Sequence, residues 1–301
     1  SIAIIFFGDY FYDARCYNMA QSIAKKKLSV DVYHTGANIN NDSTQLTNIN
    51  IINLGKKTSR INLLWWVFFL NKKIKKKYNT FIAADLYSLL AISPLQTNRN
   101  IIYDARDIFS ELPFKNLKFF KKKFWSALED RAIKKVRAVL STAKTDMCFF
   151  KKKFKKEKNI NYKIIYNFPS IDCLDKTKKN NINRKKTTLI YQGAIQRGRG
   201  IGLFLKIIKH NSSFSGIIVG GGVEKKKYKK KAKLLNISDR VLFYNKIPYK
   251  QLLSITASAH VGCALIEPCS LNNINALPNK LFEYAACGIP TLASNLPNMV
   301  Q

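Results

Sequence analysis

Short continuous apolar runs alternate with amphipathic or basic stretches along nearly the whole chain, and this alternation narrows the possible folds more than any other feature. Strands are predicted near residues 2–7, 29–34, 49–53, 80–83, 100–103, 137–140 and 162–166. Helical patterns fill the gaps, around 13–26, 59–77, 116–135 and 143–157. Uninterrupted apolar strands separated by helices are the mark of a parallel sheet covered on both faces. From Asn167 to Lys186 the chain turns polar, charged and aperiodic, as in Lys176-Thr177-Lys178-Lys179-Asn180-Asn181, which reads as a linker. A second alternation follows, with strands near 187–192, 215–219, 240–243, 260–265 and 290–293. The expected architecture is α/β, with two Rossmann-like doubly wound domains at 1–168 and 187–301 joined by a linker at 169–186. A length of 301 residues suits two domains better than one. Such a pair would place a ligand in the cleft between them.

The stretch from Ala276 to Pro290 carries the clearest chemistry. Pro278 and Asn279 make a helix start, and Gly288-Ile289-Pro290 a stop, giving a helix of about two turns. Its N-terminus, near Leu277, Pro278 and Asn279, presents free backbone N–H groups, a physical device for holding phosphate. One carboxylate, Glu283, sits on an otherwise apolar body and suits a sugar diol, because it can accept from two adjacent hydroxyls. Lys280, one turn before it, can reach a pyrophosphate or form a plain surface pair with Glu283. In Gly193-Ala194-Ile195-Gln196-Arg197-Gly198-Arg199-Gly200, glycines flank Arg199 so that backbone and guanidinium can approach a diphosphate together. Gly220, in a glycine triplet after the next strand, marks a turn. Gly8 precedes the first helix and reads equally as a phosphate-facing or acceptor-facing loop and as a tight turn. Tyr103-Asp104-Ala105-Arg106-Asp107 follows a strand, at the edge where such folds place sites; Asp107 also reads as a helix cap. Asp104, Asp107 and Glu111 cluster, but no second acidic pair or His supports a metal.

These segments together resemble the retaining glycosyltransferases of family four, which have the GT-B fold. The likeness rests on Leu277-Pro278-Asn279-Lys280-Leu281-Phe282-Glu283-Tyr284, Tyr191-Gln192-Gly193, Arg199-Gly200, Val219-Gly220-Gly221-Gly222 and Ile247-Pro248-Tyr249-Lys250-Gln251-Leu252-Leu253. Upstream, Asp13-Ala14-Arg15, Ala84-Asp85-Leu86 and Tyr103–Asp107 join them. The resemblance implies transfer of a sugar from a nucleotide-sugar, such as a UDP- or GDP-sugar, to a glycan or lipid-linked acceptor, in surface polysaccharide or glycolipid synthesis. Arg199 and Lys280 would stabilise the leaving diphosphate. Glu283, Gly193, Arg197, Asn279, Pro278, Leu277, Gly220 and Ile247 would contact the donor, with the base held by backbone in Phe243–Pro248. Gly8, Asp104 and Arg106 would border the acceptor side. No metal and no further cofactor are implied, and domain closure would exclude water. The chain departs from the family at Ala194, where a basic residue is common, at Arg106, where some relatives have His, and at Asn275, where a first Glu often precedes Glu283. The missing initial Met and the end at Gln301 are expected of a fragment, since relatives continue with further strands and a final helix.

The formal charge of +34 invites a nucleic-acid reading. Yet 42 residues are Lys and only 10 Arg, and Asn, Ile, Phe and Tyr are inflated too, as AT-rich codons would produce. Arg, which reads phosphates and bases bidentately, is scarce, so no specific nucleic-acid partner is expected. Six cysteines without a C-x-x-C pair, and three His, give neither zinc spacing nor a disulfide framework; reduced, mostly buried thiols in a cytoplasmic protein are expected. The run Ile61–Leu70, followed by Lys72, Lys73, Lys75, Lys76 and Lys77, is too short to span a bilayer. Its aromatic and basic character suits either an anionic membrane surface on the inner face or a buried helix with a basic tail. Phe119–Trp125 and Phe149–Phe154 repeat the theme. Two rival functions stay open: a basic nucleic-acid- or membrane-binding protein without catalysis, and a sugar-nucleotide epimerase of the same architecture. An inactive remnant of the family is a third.

Overall fold

A computed structural model of the chain describes residues 1–36, 47–55, 70, 72–74, 78–95, 100–109, 119–170 and 186–300, with side chains from 123 onward in the helix that begins at Phe119. Most of the expected helix near 59–77, Glu111, Cys173 and most of the linker lie outside the described residues. The chain divides into two compact units, Ser1–Tyr166 and Asn167–Gln301.

The first unit is a seven-stranded sheet in the order β3-β2-β1-β4-β5-β6-β7. Its strands are β1 (Ile2–Phe6), β2 (Val30–His34), β3 (Ile49–Asn53), β4 (Thr80–Ala83), β5 (Ile101–Ala105), β6 (Val136–Ser141) and β7 (Asn161–Ile164). All pairs are parallel, with Ile4 of β1 lying between Val32 and Ile82. Helices α1 (Ala14–Lys25), α2 (Leu86–Ile92), α3 (Phe119–Ala132) and α4 (Lys144–Lys153) make the crossovers. Burial follows sequence character: β2 is buried throughout, whereas the edge strand β7 alternates exposed and half-buried residues. That is the difference between a strand covered on two faces and one at a rim. Asp13 and Asp85 start α1 and α2 by accepting from the backbone N–H of Cys16 and Ser88, each satisfying an otherwise unpaired donor.

The second unit repeats the plan with five parallel strands in the order β10-β9-β8-β11-β12. They are β8 (Thr187–Gln192), β9 (Phe214–Val219), β10 (Val241–Tyr244), β11 (Val261–Ala264) and β12 (Thr291–Ala293). Between them run α5 (Ile201–His210), α6 (Lys225–Leu234), α7 (Tyr249–Thr256), α8 (Leu271–Ile274) and α9 (Asn279–Ala286). Successive residues of β8 enter cores on opposite faces. Leu189 and Tyr191 pack with Phe204, Ile218 and Tyr228, while Ile190 packs with Val219, Leu253 and Tyr284. The strand order reverses between β8 and β11, the place where doubly wound sheets hold ligands at their carboxyl ends. The expected strands and the helix at 278–287 are thus present, with ends moved by a residue or two.

Of the described cysteines, Cys16, Cys263 and Cys287 are buried, while Cys148 and Cys269 are exposed; all five are free thiols. No helix among the described residues is long and apolar enough to cross a membrane.

Candidate functional site

In the second unit the chemistry gathers at the reversal point. Tyr284 anchors α9 there. Its ring fills the space beside Gly262, where a Cβ would lie 2.2 Å from the ring. Its hydroxyl lies 3.2 Å from the carbonyl of Ile190 in β8 and 3.3 Å from that of Cys263 in β11. The helix start is thereby fixed over the carboxyl ends of both strands. Pro278 is its N-cap and contributes no side-chain bond. Leu281 N–H bonds the Pro278 carbonyl, while the N–H groups of Asn279 and Lys280 have no hydrogen-bond partner among the described residues. Leu277, Pro278 and Asn279 are half-buried around this end.

Two ionisable side chains of α9 point inward. Lys280 is buried, and its ammonium lies 3.7 Å from the centre of the Tyr191 ring, a cation–π contact. No carboxylate among the described residues comes within 4.0 Å of it. Burial, and next the charge of Arg199, bring its pKa down to about 7, against the opposing pull of Glu283 and Cys263. Glu283 is also buried, and burial pushes its carboxyl up to about 7, against the hydrogen bond from Gln192 and the charge of Lys280. The plain surface pair between these two residues is therefore absent. Instead Glu283 accepts from the Gln192 amide at the end of β8. The Gln192 carbonyl accepts from the Thr256 hydroxyl at 2.6 Å. This chain orients the carboxylate while its Oε1 makes no hydrogen bond among the described residues.

Arg199 lies between Gly198 and Gly200, both in the left-handed region at φ 78° and 72°. Gly200 begins α5, and a Cβ there would sit 1.7 Å from the carbonyl oxygen of Leu265, so only glycine fits. The buried Asn273 donates to the carbonyls of Gly198 (3.1 Å) and Glu267 (2.9 Å), tying the loop to α8. Arg199 itself is half-buried with no ion pair or hydrogen bond among the described residues. Arg197 is exposed. Gly193, at φ 121°, leaves room over the end of Lys280, 3.8 Å from where its Cβ would be. Gly220 serves the scaffold: a Cβ would meet the Gly193 carbonyl oxygen at 1.9 Å. Ile247 is half-buried against the core of α7 and α9. Asn275, where a first Glu is common in the resembled family, accepts at its carbonyl from Asn298 at 2.6 Å.

In the first unit, two copies of the same tripeptide interlock. Arg15 of Asp13-Ala14-Arg15 forks onto Asp104 of Asp104-Ala105-Arg106 at 2.6–2.9 Å. Arg106 returns the contact to Asp13 at 2.8 Å and to Asp104 at 2.9 Å. Burial alone would raise the Asp104 pKa; the charges and hydrogen bonds of Arg15 and Arg106 override it and hold the carboxyl below its ordinary range. This corrects one expectation. Asp104 is 0 % exposed with both oxygens engaged, so it braces the site rather than facing an acceptor. Arg106 is likewise committed through Nε and Nη1, with its guanidinium 5.0 Å from the centre of the Phe6 ring, while Nη2 is buried without a partner among the described residues. It lines a pocket of about 360 Å³ at the carboxyl ends of β1, β4 and β5, together with Phe6, Phe7, Asp85 and Tyr87. Gly8 makes room for the Phe6 ring, which a Cβ would meet at 2.4 Å. Asp107 is exposed. No cluster of three metal-ligating side chains occurs among the described residues.

Gln192, Thr256, Asn273 and Arg15 are positioning residues that the sequence did not single out. Gln192 and Arg15 stood inside segments already singled out; Thr256 and Asn273 carried no local signal. The chain is similar in fold to sucrose-phosphate synthase from Thermosynechococcus elongatus, at 16% identity and TM-score 0.75, over 98% of this chain and 81% of that one. It is similar to the HepE protein of Anabaena solved with UDP and glucose, at 11% identity and TM-score 0.69, over 99% and 82%. A trehalose-phosphate synthase from Burkholderia xenovorans matches at 8% identity and TM-score 0.68, over 100% and 86%. No curated protein matches the chain in sequence. The fold is GT-B, and residues 174–301, nearly all of the second unit, match the family described as glycosyl transferases group 1.

Proposed function

We propose that the chain is a retaining, metal-independent glycosyltransferase. It moves a sugar from a UDP- or GDP-sugar to a glycan or lipid-linked acceptor, in surface polysaccharide or glycolipid synthesis, on the cytoplasmic side and at the inner membrane face. The observation that carries this reading is Lys280, a buried basic side chain at a helix N-terminus with no carboxylate within 4.0 Å among the described residues, close enough to Arg199 for the two charges to repel. Two basic side chains without an ion pair among the described residues, beside free backbone N–H groups, make a site for a dianion. They would stabilise the charge that develops on a departing diphosphate. Glu283, held by Gln192 on one oxygen, has the other for a ribose hydroxyl. The leaving phosphate would take the acceptor proton as the acceptor oxygen attacks from the face the diphosphate leaves. The structures of HepE with UDP and with UDP-glucose support a nucleotide-sugar donor.

The test is turnover of UDP- and GDP-sugars in the presence of EDTA, with the anomeric configuration of the first-formed product read by proton NMR. Retained configuration with EDTA present is expected. An inverted product would overturn the retaining mechanism, and activity only with added divalent metal would overturn the metal-independent one.

A further inference from the structure

We propose that the outward face of α6 is the surface by which this protein rests on an anionic lipid bilayer; the inference builds on the membrane-side acceptor in the reading above. Seven of the ten residues of α6 are lysine, out of thirteen lysines in residues 186–300. A codon bias raises lysine everywhere, whereas this density falls on one helix. The inner face of α6 is accounted for, because Tyr228 and Ala232 are buried in the second unit's core. Some of its lysines are also accounted for. Lys225 donates to the carbonyls of Gly220 and Tyr244. Lys227 pairs with Glu224 at 3.2 Å, and Lys229 lies over the Phe243 ring.

Lys231 is half-buried beside Gly202, which leaves Lys226, Lys230 and Lys233, all exposed and with no carboxylate partner among the described residues. Their spacing of four and three residues puts them on one stripe, opposite Tyr228 and Ala232. Close like charges on one face are unfavourable in solution, and each becomes favourable against a negative surface. Glu224, already paired with Lys227, is the one carboxylate on or next to the helix in sequence.

Apolar side chains at the two ends of the helix select the partner. Val223, just before α6, is 93 % exposed, and Leu234, its last residue, is 84 % exposed. The phosphate backbone of a nucleic acid offers nothing to such groups, and phosphate forks favour Arg over Lys. A bilayer interface takes apolar side chains below a row of lysine head groups that remain at the lipid phosphates. Charge complementarity and two exposed apolar ends therefore point to the same occupant.

The experiment is sedimentation of the full chain with vesicles of phosphatidylcholine, alone or mixed with phosphatidylglycerol. Wild type is compared with the triple variant K226E/K230E/K233E, with Leu234→Ser, and with a charge-matched control, K152E/K155E/K156E, at exposed lysines of the first unit. Wild type should bind the mixed vesicles, weaken with salt, and ignore pure phosphatidylcholine. The α6 triple variant should lose on the order of a hundredfold in partitioning, from three lysines near the surface, while the control keeps most binding and Leu234→Ser loses a few-fold. UDP titration of each variant checks that the second unit is intact. Equal loss in the α6 variant and the control would overturn the assignment to α6 and leave a diffuse basic surface. No vesicle binding by wild type would overturn the membrane part of the proposed function with it, leaving the donor site untouched. Binding to an RNA duplex in place of vesicles, lost in the α6 variant, would give the face to another partner and also overturn the proposal.

Discussion

The ammonium of Lys280 rests 3.7 Å from the centre of the Tyr191 ring, buried and with no carboxylate within 4.0 Å among the described residues. Burial pushes its pKa down to about 7 and that of Glu283 up to about 7, so near neutrality the empty site holds both groups close to their midpoints. A bound diphosphate favours the charged lysine and raises its pKa. Above pH of about 7 the protein should therefore take up a proton on binding, and affinity should fall as pH rises. Below that pH, Glu283 becomes protonated and the ribose contact weakens, so affinity should peak near neutrality. Calorimetry of UDP binding in Tris and in HEPES reads the proton uptake directly. Lys280→Met should abolish the uptake on the alkaline side and cost about 1.5–3 kcal/mol of affinity, as expected for a hydrogen bond to a charged group.

Gln192 and Thr256 should act on the nucleotide without touching it. Gln192→Ala leaves a buried carboxylate oxygen of Glu283 unpaired, at about 1–3 kcal/mol of stability. Thr256→Val removes the donor that fixes which end of the Gln192 amide faces Glu283. Both variants should weaken nucleotide binding, and the double variant should lose less than the two singles added together, because they act through one chain of hydrogen bonds. Strict additivity in a double-mutant cycle would contradict that linkage.

Asp104 should be a residue of stability in the first unit. Asp104→Asn leaves Arg15 and Arg106 buried and under-compensated, a loss of about 3–5 kcal/mol. Asp107→Asn, at an exposed position, should stay within about 0.5 kcal/mol. Because the folded pKa of Asp104 is depressed, its contribution is present above the unfolded carboxyl value of 3.8 and is lost as pH falls through the lower folded one. Urea titrations of both variants at neutral and acid pH check the difference and its disappearance.

Gly200 and Gly288 separate two reasons for a glycine. Both have left-handed backbones, at φ 72° and 68°, but a Cβ at 200 meets a carbonyl oxygen at 1.7 Å whereas one at 288 meets nothing within 4 Å. Gly288→Ala should cost about 1 kcal/mol from backbone strain alone. Gly200→Ala should cost more and displace the loop carrying Arg199, lowering UDP affinity, while Gly288→Ala leaves affinity unchanged. Thermal unfolding and UDP titration of the two variants make the comparison.

The strands and α9 were legible because each is defined by neighbours in sequence: an apolar run, a Pro-Asn start, a Gly-Ile-Pro stop. Lys280 and Glu283 were legible for the same reason, as charges on a short apolar helix. What they pair with was not. Whether Lys280 met Glu283 or a ligand depended on the Tyr191 ring, and Glu283 found its partner at Gln192, 91 residues earlier. Asp104 and Arg106 looked like ligands at a strand end because the residues that occupy them, Arg15 and Asp13, lie 89 and 93 residues upstream. Periodicity locates elements, but register between distant strands decides which polar groups are satisfied and which stand open.

In the proposed function, α9 and the Arg199 loop form a metal-independent nucleotide-diphosphate site. Its most direct test is calorimetric titration of the chain with UDP and GDP, with and without EDTA, for wild type and Glu283→Ala side by side. EDTA-insensitive binding of one diphosphate by wild type is expected, much weakened in Glu283→Ala, whose fold is retained. Equal binding by the two proteins would contradict the ribose role of Glu283, and no binding of either nucleotide by wild type would contradict the site itself.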